Sequence, residues 1–212
     1  MVITWYGQSC FKIQSGETVI FVDPFNKDIG LVPPRGQAHI VAISHQHQDH
    51  NNFESLTGEP LIIDGPGEYE TKNVNIKGIF SYHDDVEGKK LGINTIYIIE
   101  VENVKICHLG DLGQKKLTDE QLEKIDEVDI LMIPVGGNFT IDGEAAAEII
   151  NQIEPKIVIP MHYKIAGLNI KIDNADLFLK EMGVSKKEAT DKLTIKKKDL
   201  PQEETEVVVM KI

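Results

Sequence analysis

The sequence predicts an α/β protein in which a half made mainly of strands precedes a half in which helices and strands alternate. Short runs rich in β-branched and aromatic residues, separated by polar turns, recur over the first hundred or so residues. After residue 117, capped amphipathic segments are each followed by a short apolar run. The nine prolines and seventeen glycines leave no obvious linker, so residues 1–212 are expected to form one domain.

The first half is expected to contain eight strands with turns between them. The segment 39–43 is apolar without alternation, which predicts a fully buried strand. Prolines, glycines and polar residues between 25 and 37 indicate a loop, and G-P-G at 65–67 indicates a turn. The expected strands cover residues 3–6, 10–13, 18–22, 39–43, 61–63, 74–82, 94–101 and 104–107.

Three helices are expected in the second half. The first covers 118–125, with Thr118 as N-cap and Gln121 completing a capping box. The second is capped by Asp142, buries an apolar face and ends at the Glu154-Pro155 dipeptide, since a residue before proline disfavours helix. The third covers about 175–182, capped by Asp173 or Asn174. Strands are expected at 129–133, 157–160, 193–195 and 206–210.

Composition excludes several classes of protein. The chain has 34 acidic and 22 basic residues, a net charge of -12, and one arginine, Arg35, so nucleic-acid binding is not expected. No stretch approaches the roughly 18 apolar residues of a membrane span. Cys10 and Cys107 are too few for a disulfide framework, which favours a cytoplasmic location. The oligomeric state stays open.

The sharpest chemical signal is S-H-Q-H-Q-D-H at 44–50, directly after the expected buried strand. The alternation of an extended backbone sends His45, His47 and Asp49 to one side, and His50 follows. Imidazoles and a carboxylate crowded beside a core strand would be costly to bury without a cation, so this segment predicts a metal site. More ligands are needed from other strand ends, and the candidates are His83, Asp111 and His162.

The order H-x-H-x-D-H, then histidine, then G-D, then P-M-H resembles the metallo-β-lactamase superfamily. The stretches G-P-G-E-Y-E at 65–70 and H-L-G-D-L-G at 108–113 are similar to its small metal-dependent hydrolase branch, the group that contains ascorbate-6-phosphate lactonase. The resemblance implies a four-layer αββα sandwich, two central sheets flanked by helices, with a dinuclear metal site at one edge. It spans residues 45–162.

The resemblance also implies the ligands of two divalent cations. They are His45, His47 and His83 for the first metal, Asp49, His50 and His162 for the second, and Asp111 bridging both. Zinc is the first expectation from this donor set, and manganese or iron would fit the same ligands. His108 competes with His83 for the third imidazole position, and would otherwise support the loop that carries Asp111.

Other positions are left open by the sequence. Asp23 in F-V-D-P-F resembles an aspartate that orients a ligand histidine, and it equally suits a turn before proline. Lys164 has the charge to neutralise an anionic substrate group, or is a surface lysine. Related sequences often carry histidine where this chain has Gln8 and Gln114, which leaves the ligand set intact.

The expected reaction is hydrolysis of a small-molecule ester, lactone or phosphoester by a metal-bridging hydroxide, with Asp49 or Asp111 as proton acceptor. The short chain leaves no capping domain for a polymer. One alternative is a non-catalytic, metal-stabilised binding module. Another is a diiron redox module, which usually has glutamate in place of the second histidine and needs a flavin domain; this chain has His47 and no such domain.

Overall fold

A computed structural model describes residues 1–185 and 188–212 of the chain. The strands are Val2–Gly7 (β1), Cys10–Ser15 (β2), Thr18–Val22 (β3), Ile40–Ala42 (β4), Leu61–Ile63 (β5), Gly67–Thr71 (β6), Val74–Tyr82 (β7), Ile93–Val101 (β8), Val104–His108 (β9), Ile130–Pro134 (β10), Ile157–Met161 (β11), Leu193–Thr194 (β12) and Glu206–Val207 (β13). The α-helices are Asp119–Ile125 (α1), Gly143–Ile153 (α2) and Asp176–Glu181 (α3), and 3-10 helices cover Lys27–Ile29, Phe53–Ser55 and Lys197–Asp199.

The strands form two mixed sheets. The first has the order β12-β1-β2-β3-β4-β5, and the second has the order β13-β11-β10-β9-β8-β7-β6. In the first sheet β3, β4 and β5 run parallel, and in the second β9, β10, β11 and β13 do. This arrangement confirms the predicted α/β fold class.

Alternating side chains of β3 and β4 pack against different layers. Ile20 and Ile40 belong to the main core, which also contains the apolar residues of the second sheet, so the two sheets pack face to face. Phe21 and Val41 point to the opposite face. There they pack against a separate cluster from residues 25–31 and 168–172, so loops and a short 3-10 helix form the layer outside the first sheet.

The helices begin where their capping residues predict. Thr118 accepts a hydrogen bond from the Gln121 N–H, and the Gln121 side chain returns one to the Thr118 N–H, which confirms the capping box. Asp142 accepts from the Ala145 N–H at the start of α2. Parallel strands β10 and β11 flank α2 in a β-α-β unit. Among the helices of the described chain, none has the length and apolarity of a membrane span.

The largest differences from the sequence-based expectation concern three elements. Strand β6 was not expected, because it is an edge strand whose Glu68 and Glu70 face outward, without the usual apolar pattern. Helix α3 has Ala175 as N-cap rather than Asp173 or Asn174, although Asn174 still accepts from the Asp176 N–H. The final strand ends at Val207, since the backbone beyond it turns to pair with residue 190.

Candidate metal centre

Seven side chains meet at one edge of the two sheets, in two groups. Within each group, one ligand-type atom of every residue lies within 4.8 Å of the others. The groups are His45, His47 and His83, and Asp49, His50, Asp111 and His162. They contain the same seven residues that the sequence singled out.

Strand ends bring these residues together from distant parts of the chain. Strand β4 leads into the segment that carries His45 to His50, and His83 directly follows β7. Asp111 lies three residues after β9, and His162 follows β11 with a left-handed φ of 51°. The His162 N–H donates to the Gln8 carbonyl at 3.0 Å, which holds this unusual conformation. Ends of parallel strands meet at one edge, so the sheet order creates the site.

Asp111 lies between the two groups. Its Oδ2 atom is 3.2 Å from His50 Nε2 and 3.1 Å from His162 Nε2. The same oxygen is 3.5 Å from His83 Nε2, in the other group. A single buried carboxylate oxygen therefore faces imidazoles of both groups.

The imidazoles leave ring nitrogens without partners. Among residues 1–185 and 188–212, four buried ring nitrogens make no hydrogen bond: His45 Nε2, His83 Nδ1, His162 Nδ1, and His50 Nε2, which nevertheless faces the Asp49 and Asp111 carboxylates at 3.4 and 3.2 Å. A buried polar atom without a partner costs about 1–3 kcal/mol, and four in one cluster is unusual for a folded protein. Imidazole nitrogens and carboxylate oxygens are ligands of zinc and of other divalent transition metals. The residues therefore fit divalent metal ions.

Asp23 holds His50 from behind the cluster. Its Oδ2 is 3.0 Å from His50 Nδ1, and its two oxygens accept from the Ser44 N–H and hydroxyl, each at 2.7 Å. Asp23 is fully buried and has a left-handed φ of 47°. In neutral His50 such an aspartate keeps the proton on Nδ1, so that the Nε2 lone pair would face Asp49 and Asp111 and be available to a cation.

His108 belongs to neither group. Its Nε2 donates to the Ser9 carbonyl at 2.8 Å, and its Nδ1 accepts from the Gly110 N–H at 3.1 Å. Both ring nitrogens are therefore used by backbone groups. Of the two candidates for the third imidazole of the first group, the structure places His83 there, and His108 supports the loop that carries Asp111.

Ser9 and Asn94 also position Asp111. The Ser9 hydroxyl donates to Asp111 Oδ1 at 3.0 Å, and Asn94 Oδ1 accepts from the Asp111 N–H at 3.0 Å. Nothing in the local sequence around Ser9 marked it, because serine is common in a turn between two strands. Only the packing of the first sheet on the second brings it to the site.

Gln8 and Gln114, the two glutamines that the sequence singled out, have different places in the structure. The Gln8 amide donates to Asp49 Oδ2 at 3.1 Å, and its Oε1 is buried without a partner in the described chain. Gln114 accepts from the Tyr82 N–H and bonds Gln121, which ties β7 to α1. Gln8 thus contacts the site, whereas Gln114 supports the fold around it.

The cluster is electrostatically polarised. Burial and the neighbouring His50 lower the pKa of His45 to about 2, so His45 is neutral. Burial opposes the charged form of His50, yet the carboxylates of Asp111, Asp49 and Asp23 raise its pKa well above the usual value. Burial likewise disfavours ionised Asp111, but His162 and His50 hold its pKa well below the ordinary range. A carboxylate surrounded by imidazoles is a suitable environment for a cation.

Asp84 fixes the loop that follows His83. Its carboxylate accepts backbone N–H groups from Val86, Gly88, Lys90 and Leu91, at 2.7 to 2.9 Å. Burial opposes ionisation, but these four bonds lower the pKa of Asp84 to about 2. Asp85 is exposed and lines an adjoining cavity.

A cleft of about 430 Å³ opens over the cluster. It is lined by Asn26, Asp28, Ile29, His47, Gln48, Asp49, His83, Leu91, Asp111, Phe139, His162, Asn169 and Ile170. Lys164 is absent from this lining, and its ammonium donates to the Leu168 and Ile170 carbonyls instead. The lysine therefore supports the 165–170 loop and does not face the cleft.

Comparison with known proteins identifies the family. Residues 2–162 match the family described as the β-lactamase superfamily domain. A curated relative from Thermoplasma volcanium, named a UPF0173 metal-dependent hydrolase, is 28% identical over 187 residues, covering 76% of this chain and 82% of the relative.

Two solved structures share the fold. A Thermotoga maritima protein, named as a candidate Zn-dependent hydrolase of the metallo-β-lactamase superfamily, is 37% identical with a TM-score of 0.80, covering 99% of this chain and 97% of its own. A metallo hydrolase from Ignicoccus hospitalis is 18% identical with a TM-score of 0.65, covering 92% and 99%, which shows the fold alone. The chain therefore belongs to the metallo-β-lactamase superfamily.

Proposed function

We propose that this protein is a dinuclear metal-dependent hydrolase that acts on a small-molecule ester, lactone or phosphoester. The observation that carries the proposal is the position of Asp111, whose Oδ2 faces His83 on one side and His50 and His162 on the other. One oxygen between two sets of imidazoles is the arrangement of a carboxylate shared by two cations. The names of the relatives, which are metal-dependent hydrolases, support the same reaction class.

The two groups would hold one metal each. The ligands would be His45, His47 and His83 for the first, and Asp49, His50 and His162 for the second, with Asp111 shared. Nitrogen-rich coordination favours zinc, and manganese or iron would accept the same donors. When bound, such cations lower the pKa of water to about 7 and polarise the oxygen of a carbonyl or phosphoryl group.

The protein's own carboxylates handle protons. Asp49 lines the cleft and is partly exposed, so it can reach a substrate. Its carboxylate lies beside the cluster with Oδ2 fixed by Gln8, so its position suits a group that accepts a proton from the attacking water. The Gln8 amide holds Asp49 Oδ2 in place during this step. Asp49 can then return the proton to the leaving group.

Two measurements test the proposal. Elemental analysis of protein reconstituted with zinc is expected to give about two metals per chain. The loaded protein is then screened against esters, lactones, thioesters and phosphodiesters, alone and as Asp49→Asn and Asp111→Asn.

Asp85→Asn is the matched control, because Asp85 is exposed and outside the cleft over the metal centre. We expect both site variants to lose turnover at least a hundredfold, and Asp111→Asn to lose metal as well. Two bound metals with no turnover of any substrate class would instead favour a non-catalytic, metal-stabilised binding module. Failure to bind metal would refute both readings.

A further inference from the structure

We propose that the cleft over the metal centre is a subsite for an uncharged, apolar organic group of the substrate. This inference rests on the proposed function, because the metal centre is taken as the place where the reacting bond lies. It adds a substrate class: compounds with one hydrolysable group attached to an aliphatic or aromatic body.

Four apolar side chains form the wall of this subsite. They are Leu91, Phe139 and Ile170, from three loops, and Ile29, from the 3-10 helix Lys27–Ile29. Phe139 is 40% exposed and presents apolar surface to the cleft. Apolar surface that converges from four segments beside a polar centre is typical of a ligand pocket. The volume of about 430 Å³ lies within the usual range for small organic ligands.

The described lining of the cleft provides no cationic side chain for a second anionic group on the substrate. Its charged lining consists of Asp28, Asp49 and Asp111, besides the histidines, and contains no lysine or arginine among the described residues. Three carboxylates offset most of the charge of two divalent cations. Because the Lys164 ammonium is bonded to the 165–170 loop, it does not supply a counter-charge.

Hydrogen bonds within and between the segments hold the wall in place. The Leu91 N–H donates to the buried Asp84 carboxylate of its own loop at 2.8 Å, and the Asn169 N–H donates to the Ile29 carbonyl at 2.7 Å. The Asn138 side chain donates to the Lys171 carbonyl at 2.8 Å, which joins the Phe139 loop to the 165–173 segment. An apolar surface that is already ordered binds a ligand without the entropic cost of ordering its loops, which favours affinity.

An adjoining cavity of about 380 Å³ offers the contrasting chemistry. It shares His83, Leu91 and Phe139 with the cleft, and Lys90 and Lys115 line it. Asp84, Asp85, Asp142 and Asp173 also line it, so its charge is mixed with carboxylates in excess. A substrate with an anionic tail would have to pass the Leu91 and Phe139 side chains to reach these lysines.

The test uses alkylphosphonates with one to eight carbons, whose head group suits a divalent metal centre. Their affinity for the zinc-loaded, full-length protein is measured by calorimetry. Each buried methylene is expected to tighten binding by about two- to fourfold. The matched control variant for Phe139→Ala is Phe80→Ala, because Phe80 is 44% exposed and lies on β7, outside the cleft.

We expect Phe139→Ala to weaken octylphosphonate three- to tenfold and to leave methylphosphonate unchanged, whereas Phe80→Ala changes neither. Affinity that is independent of chain length, or tighter binding of 5-carboxypentylphosphonate than of hexylphosphonate, would overturn the subsite. Chain-length dependence without turnover of any ester, lactone or phosphoester would refute the proposed hydrolase and support the subsite. Turnover without any chain-length preference would support the proposed hydrolase and refute the subsite.

Discussion

Replacing Asp23 with asparagine tests how the protein prepares His50 for a metal. Asparagine has the same shape as aspartate and tolerates the left-handed φ of 47° at this position. The asparagine oxygen can still accept the hydrogen bond from the Ser44 N–H, which is 2.7 Å long with aspartate at this position. The other oxygen, 3.0 Å from His50 Nδ1, is replaced by an amide that donates. His50 would then favour the tautomer with its proton on Nε2, where no lone pair remains for a cation.

The magnitude follows from the bond that is lost. A hydrogen bond to a charged, buried group contributes about 1.5–3 kcal/mol. Loss of such a partner behind a ligand histidine typically weakens metal affinity by about 10- to 100-fold. We therefore expect the metal held by the Asp49, His50, Asp111 and His162 group to bind about 10- to 100-fold more weakly. The His45, His47 and His83 group touches Asp23 only through the Ser44 hydroxyl, which donates to Asp23 Oδ2 and lies 2.9 Å from His45 Nδ1. Its affinity should therefore change less than that of the other group.

Competition with a chromophoric zinc chelator measures both affinities in one titration. Asp28→Asn is the control, because Asp28 lines the cleft and belongs to neither ligand group. The wild type and the control should each bind two equivalents of zinc tightly. Asp23→Asn should bind one equivalent tightly and one weakly. Two equivalents of unchanged affinity in Asp23→Asn would refute the assignment of His50 as a ligand oriented by Asp23.

Three further outcomes are expected. Ser9→Ala removes the hydroxyl that donates to Asp111 Oδ1 and should lower turnover about tenfold with little change in melting temperature; unchanged kinetics would contradict a positioning role for Ser9. Removing metal with a chelator should lower the melting temperature by about 5–10 °C, because metal at a hundred times its Kd stabilises by about 2.7 kcal/mol; equal melting with and without zinc would contradict a site in the folded state. Asp129→Asn should cost about 1 kcal/mol at neutral pH, since Lys156 and Lys197 hold the carboxylate at 2.9 and 2.7 Å. Burial opposes ionisation, yet these partners lower the pKa of Asp129, so its contribution is complete above its unfolded pKa of about 4 and is lost as pH falls through the folded value. Denaturant curves of wild type and variant should therefore converge below pH 4, and a constant difference would refute the assignment.

Local sequence was sufficient to predict those elements whose stabilising contacts lie within one segment. Thr118 and Gln121 bond each other within a single helical turn, so the capping box could be predicted without knowing the rest of the fold. The apolar run at 39–43 likewise predicted a buried strand, because burial on both faces removes alternation. Strand β6 was not predicted, because its sequence has no apolar pattern. It is defined by its pairing with β7 at the edge of the sheet.

The identity of the seven clustered side chains could be proposed from the residue types and their order, since few arrangements tolerate so many imidazoles beside core strands. Which of His83 and His108 joins the first group was decided by tertiary structure. His108 points to the Ser9 carbonyl, which comes from the first sheet, 99 residues away. The contact of Ser9 with Asp111 and the convergence of Ile29, Leu91, Phe139 and Ile170 depend on the same packing of sheets and loops. Such contacts join segments that are remote in sequence, so no local pattern encodes them.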